Sequence, residues 1–407
     1  MSDALVSTSG GTARPRPAWD DPEPDPAPEP AVSRRRAWLT AVAIGLAWAV
    51  GVRVVAFLVA TGSRWMLQEG SRGPRPLGDW LSTWSRWDAV NLLELAEHGY
   101  LSDTADPAYP QHGTAFFPGF PLAVRAVGWL VGDLRLAGLL VSFLACAVAF
   151  TMLYRLADHY RGPGTGTIAV PLLACSPAGV FLIAGYSEAL FLAGAITAWY
   201  LAATGRWWLG GVAAGLAVGT RTVGVALVAG LGVHYLVTRR FRLRPDVLAL
   251  GVALLPLGAW MYWLAWQAGD PLRFVADQRD GWGRQLTDPG SALRTTMRGA
   301  LGNADTTWVF TWRLELVGAV IGLVLLVWCL RRAAWGWATY TAITMAAYLL
   351  STWYFSIPRG LLGLFPLPIL LAGVLRGRPQ VTAAVLAASA ALWALGVAVF
   401  VRGPWVG

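Results

Sequence analysis

Three charged side chains of this sequence lie within or directly beside apolar runs, where ionisable groups are costly and are usually functional or paired. Glu188 ends the run GYSE, in which Tyr186 adds a phenol, and Arg221 lies in the run GTRT. These two could pair with each other, either as a structural ion pair or around a ligand. Arg359, in WYFSIPRG, enters the next apolar run. There its guanidinium could hold a phosphate bidentately or could simply snorkel to the membrane interface.

A fourth candidate, Asp88, lies in the run WSRWDAVNLLELAEHGY, residues 84–100. Apolar residues recur there at helical spacing, which predicts a short helix in the membrane interface that ends at Gly99. Asp88 stands at the start of this helix. It could be only an N-terminal cap, or it could be a carboxylate that removes a proton from an attacking hydroxyl.

The run TAFFPGFP, residues 114–121, places two prolines and Phe117 at the opening of an apolar segment. Such a sequence predicts either a kinked helix start or an unwound turn that exposes backbone groups to a cavity.

Composition places these residues in a membrane protein. Of 407 residues 56% are hydrophobic and only 14% are charged, with a mean hydropathy of +0.51, which is more apolar surface than one water-soluble core could bury. Every basic residue is Arg, so chemistry that needs a lysine is excluded. The arginines lie in short clusters between apolar runs, which indicates membrane topology rather than nucleic-acid binding. Three cysteines in apolar stretches predict neither a disulfide framework nor a zinc site.

The apolar runs predict an all-α, polytopic integral membrane protein with about eleven transmembrane helices. Residues 1–36 are predicted to be a disordered cytoplasmic tail rich in Pro and acidic residues, and residues 37–407 the transmembrane domain. The predicted spans lie near 37–60, 115–131, 134–157, 166–184, 187–203, 207–237, 246–267, 314–330, 334–352, 360–375 and 380–402. The segment 207–237 is long enough to tilt, kink or split in two.

Arginine clusters orient these spans. If Arg34 to Arg36 are cytoplasmic, alternation over eleven spans also places Arg239, Arg331 and Arg376 and their neighbouring arginines on the cytoplasmic side. The loops 61–114, 268–313 and 353–359 and the C-terminus are then outside. Polar chemistry is most easily housed in these loops, so the site is expected to face outward, with loop 61–114 catalytic.

Taken together, the segments resemble the second mannosyltransferase of glycosylphosphatidylinositol-anchor synthesis, the phosphatidylinositol-glycan class V family. That family has Trp-Asp, Ala-Glu-His-Gly-Tyr, Phe-Phe-Pro-Gly-Phe-Pro and Gly-Tyr-Ser-Glu in this order, and all four occur here between residues 87 and 188. The likeness spans about residues 80–225. It departs from the family at Val223, where the family prefers Asn, and residues 358–366 resemble bacterial members more loosely.

The resemblance implies a membrane glycosyltransferase of the GT-C superfamily that uses a polyprenyl-phosphate sugar, usually mannose. Asp88 would be the general base of an inverting displacement at the anomeric carbon. The phosphate is already a good leaving group when arginine holds it, so no metal or other cofactor is expected. The residues expected to bind substrate are Trp87, Glu94, Glu97, His98, Tyr100, Phe117, Tyr186, Glu188, Arg221 and Arg359.

The main hypothesis is therefore a multi-pass plasma-membrane mannosyltransferase that acts on an extracytoplasmic glycolipid, glycan or protein. Its expected partners are the lipid-linked donor, that acceptor and membrane lipids. One alternative is a transporter or flippase of a lipid-linked sugar, which should show internal repeats with paired broken helices. No such repeat is visible in the sequence. A second alternative is a non-catalytic subunit of an envelope-glycan assembly complex.

Overall fold

The computed structural model describes residues 31–66, 80–100, 110–302 and 306–405, and the predicted tail lies outside these ranges up to residue 30. Within them the chain is helical, and the only β-type pairing is an isolated antiparallel bridge between Leu286 and Ser351. The predicted all-α class is confirmed. The helices are α1 Ala31–Met66, α2 Trp80–Trp84, α3 Asp88–His98, α4 Gly119–Val131, α5 Leu134–Arg161, α6 Gly166–Ala174, α7 Glu188–Ala203, α8 Trp207–Thr220, α9 Gly224–Thr238, α10 Leu248–Ala268, α11 Arg273–Trp282, α12 Pro289–Leu301, α13 Thr306–Arg331, α14 Trp335–Leu349, α15 Ile357–Gly363, α16 Pro366–Leu375 and α17 Pro379–Arg402. Short 3₁₀ turns cover Pro110–Ala115, Gly179–Leu182 and Pro245–Val247.

Five of these helices, α1, α5, α10, α13 and α17, are long and apolar enough to cross a membrane. The pair α15 and α16, bent by 76° at their junction, could form a sixth crossing, and α4, α7, α8 and α9 are shorter apolar helices. Large apolar side chains project outward from the long helices, for example Leu58 at 62%, Leu255 at 65% and Val320 at 61% exposure. The chain is therefore a multi-pass membrane protein, and the total of eleven crossings stays a prediction.

Small residues let the central helices approach closely. A Cβ atom added at Gly194 in α7 would lie 2.8 Å from the carbonyl oxygen of Ala213 in α8, and one at Gly230 in α9 would lie 2.7 Å from that of Gly336 in α14. Both separations are shorter than van der Waals contact. Glycine at these positions allows backbone-to-backbone packing of the kind that holds helices together in lipid, where burial of apolar surface supplies little driving force.

The predicted span 207–237 is a hairpin of two helices rather than one crossing. Arg221 is extended, with φ −155° and ψ 145°, and separates α8 from α9. Trp207 at the start of α8 packs edge-on against Tyr235 near the end of α9, with ring centroids 4.8 Å apart. The start of α8 and the end of α9 therefore lie at the same end of the bundle. No Pro lies at the break, and the neighbouring glycines are compatible with a kink as well as with a reversal of the chain.

The predicted span 115–131 does not cross the bundle, which corrects a second prediction. Its helix, α4, begins at Gly119, where an added Cβ would lie 2.7 Å from the Gly219 carbonyl oxygen, next to the α8–α9 break. The next helix, α5, begins at the same end of the bundle, because an added Cβ at Gly138 would lie 3.6 Å from the Cα atom of Gly185. Both the start and the end of helix α4 therefore lie near the same end of the bundle. The first correction adds one crossing and the second removes one. The later helices therefore keep the orientations that the sequence predicted.

The loops predicted to be outside do come together. Thr114 of the first loop donates from its backbone nitrogen and hydroxyl to Asp277 of the second, at 3.2 and 2.6 Å. The third loop joins them, since the Tyr354 nitrogen donates to the Thr296 hydroxyl of the second loop at 2.9 Å. Just before the third loop, the Leu350 carbonyl oxygen accepts from the Thr287 nitrogen at 2.8 Å. At the other end of the bundle, Arg376 donates to the Arg161 carbonyl oxygen at 2.7 Å. Which end faces the cytoplasm stays a prediction.

Candidate active site

Four charged side chains that the sequence singled out meet at the end of the bundle formed by the three loops. One Glu188 carboxylate oxygen accepts hydrogen bonds from both Arg221 and Arg359, and Arg359 also donates to Asp88. The Arg221 guanidinium reaches the Ser187 hydroxyl as well, at 3.2 Å. Two negative and two positive charges thus form one continuous network, in which the pair predicted between Arg221 and Glu188 is present.

Each member of this network is delivered by a helix end or a helix break. Asp88 and Glu188 are the first residues of α3 and α7, where the helix dipole favours a carboxylate. Arg221 occupies the α8–α9 break, and Arg359 lies in the short helix α15. Backbone interruptions at membrane depth are tolerated where they line a cavity, and this is how the fold admits four charges here.

Asp88 is not a helix cap in this structure. The N-cap of α3 is Trp87, and no side chain makes a capping hydrogen bond there. Trp87 has a positive φ of 54°, a strained conformation for a non-glycine residue that positions the following carboxylate. Arg359 holds one Asp88 oxygen, and among the described residues the other oxygen makes no hydrogen bond. The Asp88 side chain, which carries this oxygen, is 21% exposed.

Arg359 does not snorkel to the interface, which was the alternative drawn from the sequence. It is only 6% exposed, and its guanidinium lies over the rings of Tyr186 and Phe181, at 4.8 and 5.1 Å from their centroids. Tyr186 is itself held in place, because its hydroxyl donates to the Arg86 carbonyl oxygen at 2.8 Å. Arg359 is therefore an internal charge fixed by two carboxylates and an aromatic floor.

Glu315 of α13 fixes the helix that carries Arg359, and the sequence analysis missed it. It is 1% exposed and accepts hydrogen bonds from the backbone nitrogens of Ser356 and Ile357, at 2.7 and 2.8 Å. These are the amides at the start of α15, where Ser356 adopts a positive φ of 62°. Its isolation as a single carboxylate inside an apolar run was the available signal.

The network opens on a cavity of about 360 Å³. Asp88, Arg221 and Arg359 line it, whereas Glu188 lies behind them, 4% exposed, with its second oxygen unpartnered among the described residues. Aromatic walls surround the charged floor. They consist of Phe116, Phe117, Phe274, Trp282, Tyr348, Phe355 and Trp405.

The second of the three loops contributes Gln278 and Arg284 to the cavity, and no motif had marked either of them. This loop is clamped to the first by Asp277, which is 1% exposed and also pairs with Arg273 at 2.8 Å. Asp277 is thus a buried structural carboxylate rather than a surface residue.

Several predicted substrate-binding residues do not reach the cavity. Glu94 and His98 pair with each other on α3 at 3.1 Å, and Glu97 is exposed. Tyr100 packs against Trp260, with ring centroids 4.7 Å apart, and burial raises the pKa of its phenol. Trp87 packs against Trp405 at the rim, at 5.5 Å.

No group of three or more His, Cys, Asp or Glu side chains in the described ranges is placed to hold a metal ion. The expectation of a reaction without a metal stays a prediction. The three cysteines, Cys146, Cys175 and Cys329, are free and buried.

Comparison with known proteins supports the family resemblance. Residues 77–244 match the family described as Mannosyltransferase (PIG-V). The chain is 40% identical over 152 residues to GPI alpha-1,6-mannosyltransferase 2 of Mus musculus, which covers 35% of the chain and 29% of that relative. It is 38% identical over 158 residues to the Homo sapiens protein of the same name, covering 36% and 30%. The predicted resemblance is confirmed, over less than a third of the length of either relative.

The fold is similar to that of ArnT from Cupriavidus metallidurans, whose crystal structure was solved bound to undecaprenyl phosphate. The TM-score is 0.51 with 16% sequence identity, over 87% of this chain and 76% of that one. The likeness extends far beyond the residues that match the family. It confirms the predicted GT-C-like helical fold.

Proposed function

We propose, on the premise that residues 77–244 carry the PIG-V mannosyltransferase sequence within a GT-C-like fold, that this chain transfers a mannosyl residue from a polyprenyl-phosphate donor. The acceptor would be an extracytoplasmic glycolipid, glycan or protein. The observation that carries the proposal is Asp88, a carboxylate that lines an aromatic-walled cavity, with one oxygen held by Arg359 and the other without a hydrogen bond among the described residues.

In the proposed reaction, the free Asp88 oxygen accepts the proton of the acceptor hydroxyl as that oxygen attacks the anomeric carbon. The bond from this carbon to the phosphate oxygen breaks, and its electron pair leaves with the polyprenyl phosphate. Attack and departure on opposite faces invert the anomeric configuration. Arg359 orients the base, and general-base catalysis of this kind contributes about 10²–10⁴-fold to a rate.

The cavity's composition supports a sugar-phosphate ligand. Aromatic side chains offer faces on which the apolar side of a sugar ring can pack, and arginines attract a phosphate. Arg221 is 22% exposed and Arg359 is 7% exposed at their side chains, and both already share Glu188. We assign both to the site, with Arg221 the more accessible of the two.

Replacing Asp88 with Asn tests the proposal. The variant keeps the side-chain size but cannot take up a proton at neutral pH, so turnover of purified protein should fall about 10²–10⁴-fold. Glu97→Gln on the same helix is the matched control, since Glu97 is exposed and does not line the cavity. Asp88→Asn also removes one ion pair from Arg359, and the unfolding midpoint in detergent reports that contribution. Near-parental transfer by a folded Asp88→Asn protein would contradict the assignment.

A further inference from the structure

In the part of the chain that the structure describes, four charged residues line the cavity: Asp88, Arg221, Arg284 and Arg359. Three of them are committed to the network described above, which is electrically balanced once Glu188 is included. A phosphate at Arg221 or Arg359 would meet a guanidinium whose charge a carboxylate already balances. Arg284 is the remaining cation.

Arg284 lies in the short segment between α11 and α12 and forms no salt bridge within the described ranges. Its Nε atom donates to the Ser351 hydroxyl at a long 3.4 Å, and its guanidinium lies 5.7 Å from the centroid of the Tyr348 ring. Glu315 is the acidic group that faces it, but both Glu315 oxygens already accept backbone hydrogen bonds from the start of α15. The other charges that face it, Arg221 and Arg359, are repulsive.

Desolvation lowers the pKa of the Arg284 guanidinium. Tyr348 and Glu315 partly offset this, and the nearby Arg221 and Arg359 lower the pKa further. An arginine nevertheless stays charged at neutral pH. A poorly solvated cation without a counter-ion, beside two other cations, is the arrangement expected before an anion binds. The unbalanced positive charge points to a ligand that brings negative charge into this part of the cavity.

The segment that carries Arg284 is fastened on both sides. The Gln285 nitrogen donates to the Thr352 hydroxyl at 3.1 Å, and that hydroxyl donates in turn to the Gly283 carbonyl oxygen at 2.8 Å. The Thr287 nitrogen donates to Leu350, as described for the loop contacts. Arg284 is therefore presented from a braced position, which lowers the entropy lost when it binds a ligand.

The surface beside Arg284 fits an anion that carries an apolar chain. Leu286 is 86% exposed and Val275 is 54% exposed, and both line the same cavity. An inorganic anion would make no use of exposed apolar side chains, whereas the first units of a polyprenyl chain would bury them. We propose that Arg284 binds the phosphate of the polyprenyl-phosphate donor and of the polyprenyl phosphate released, an inference that rests on the proposed function.

The test compares the affinity of the purified full chain for three probes: polyprenyl phosphate, polyprenol of the same length, and inorganic phosphate. Wild-type protein should bind polyprenyl phosphate more tightly than either other probe. Arg284→Gln should bind polyprenyl phosphate about 10- to 100-fold more weakly, because a charge-assisted hydrogen bond is lost, and should bind polyprenol unchanged. Arg284→Lys should show an intermediate loss, since an ammonium keeps the charge but not the fork.

Arg294→Gln is the matched control, because Arg294 lies on the same outer loop, is exposed and does not line the cavity. It should bind like the wild type. Equal affinity of wild-type and Arg284→Gln protein for polyprenyl phosphate, with the wild-type preference over polyprenol intact, would overturn the Arg284 assignment alone. Loss of that preference in the wild type would overturn the lipid-phosphate donor as well. If the wild type bound inorganic phosphate as tightly as polyprenyl phosphate, the polyprenyl chain would play no part in binding, and this result would also overturn the proposal.

Discussion

Residues 77–244 and residues 245–405 both line the cavity, but the two regions are very unequal in sequence signal. The first region matches the family and supplies Asp88 and Arg221, each within a recognisable run. The second supplies Arg284 and Arg359 and the buried brace Glu315, and of these three the sequence analysis singled out only Arg359. A family match over part of a chain can thus contain the proposed base and still miss the proposed phosphate-binding Arg284 and the brace Glu315.

The two regions also differ in where topology prediction failed. Both corrected spans, 115–131 and 207–237, lie in the family-matched region, where the helices are short and Gly-rich. As a result, the α5–α6 connection lies at the end of the arginine clusters rather than with the outer loops.

An all-or-none labelling difference is the largest effect expected. With an impermeant thiol reagent on intact cells, Arg294→Cys should label and Thr167→Cys should not, although the predicted alternation puts residue 167 at the outer end of the span 166–184. Both positions are exposed, and the three native cysteines are buried. Arg378→Cys, also exposed, serves as the internal control. Labelling at 167 in intact cells would restore the original span assignment.

Glu188 and Glu315 are both buried carboxylates, and replacing Glu188 with Gln should reduce stability more than replacing Glu315. Glu188 balances two guanidinium groups at 4% exposure, and removing one partner of a buried ion pair costs about 3–5 kcal/mol. The unfolding midpoint of the purified protein in detergent should fall accordingly, with a reduced yield of inserted protein. A midpoint equal to that of the wild type would show that Asp88 alone is enough to hold Arg359.

Glu315→Gln should cost less, because an amide keeps one acceptor oxygen for the start of α15. The loss of one hydrogen bond to a charged acceptor is about 1.5–3 kcal/mol. As a positioning residue, Glu315 should lower kcat per folded molecule about tenfold, with little change in the KM for the donor. A purely structural role would instead lower the yield and leave the kcat of the folded protein unchanged.

The smallest effects are expected at Glu94 and His98. The two pair with each other on α3 and do not line the cavity, so Glu94→Gln and His98→Ala should each change the rate by less than about twofold. These residues were also expected to bind the acceptor. A large rise in the acceptor KM would show that the acceptor reaches beyond the cavity, along α3.

The sequence was informative where the physical signal is local. Helix α3 ends at Gly99 as predicted, because helical periodicity and a glycine with φ 87° depend on neighbouring residues. The contact of Arg359 with Asp88 joins residues 271 positions apart, and no local pattern encodes it. Arg284 has no sequence signal either, because its lack of a carboxylate partner among the described residues is visible only in three dimensions. A hairpin at Arg221 could not be told from a kink, because both satisfy the same apolar pattern.

The most direct test of the central claim is transfer by the purified wild-type chain. Polyprenyl-phosphate mannose labelled in the sugar would be supplied with an acceptor extract from a strain that lacks the gene. The account predicts that label moves into a non-donor product, with one polyprenyl phosphate released for each sugar transferred, and that Asp88→Asn abolishes most of this transfer. Donor that remains intact while it crosses the bilayer of a proteoliposome would contradict the account and favour a flippase.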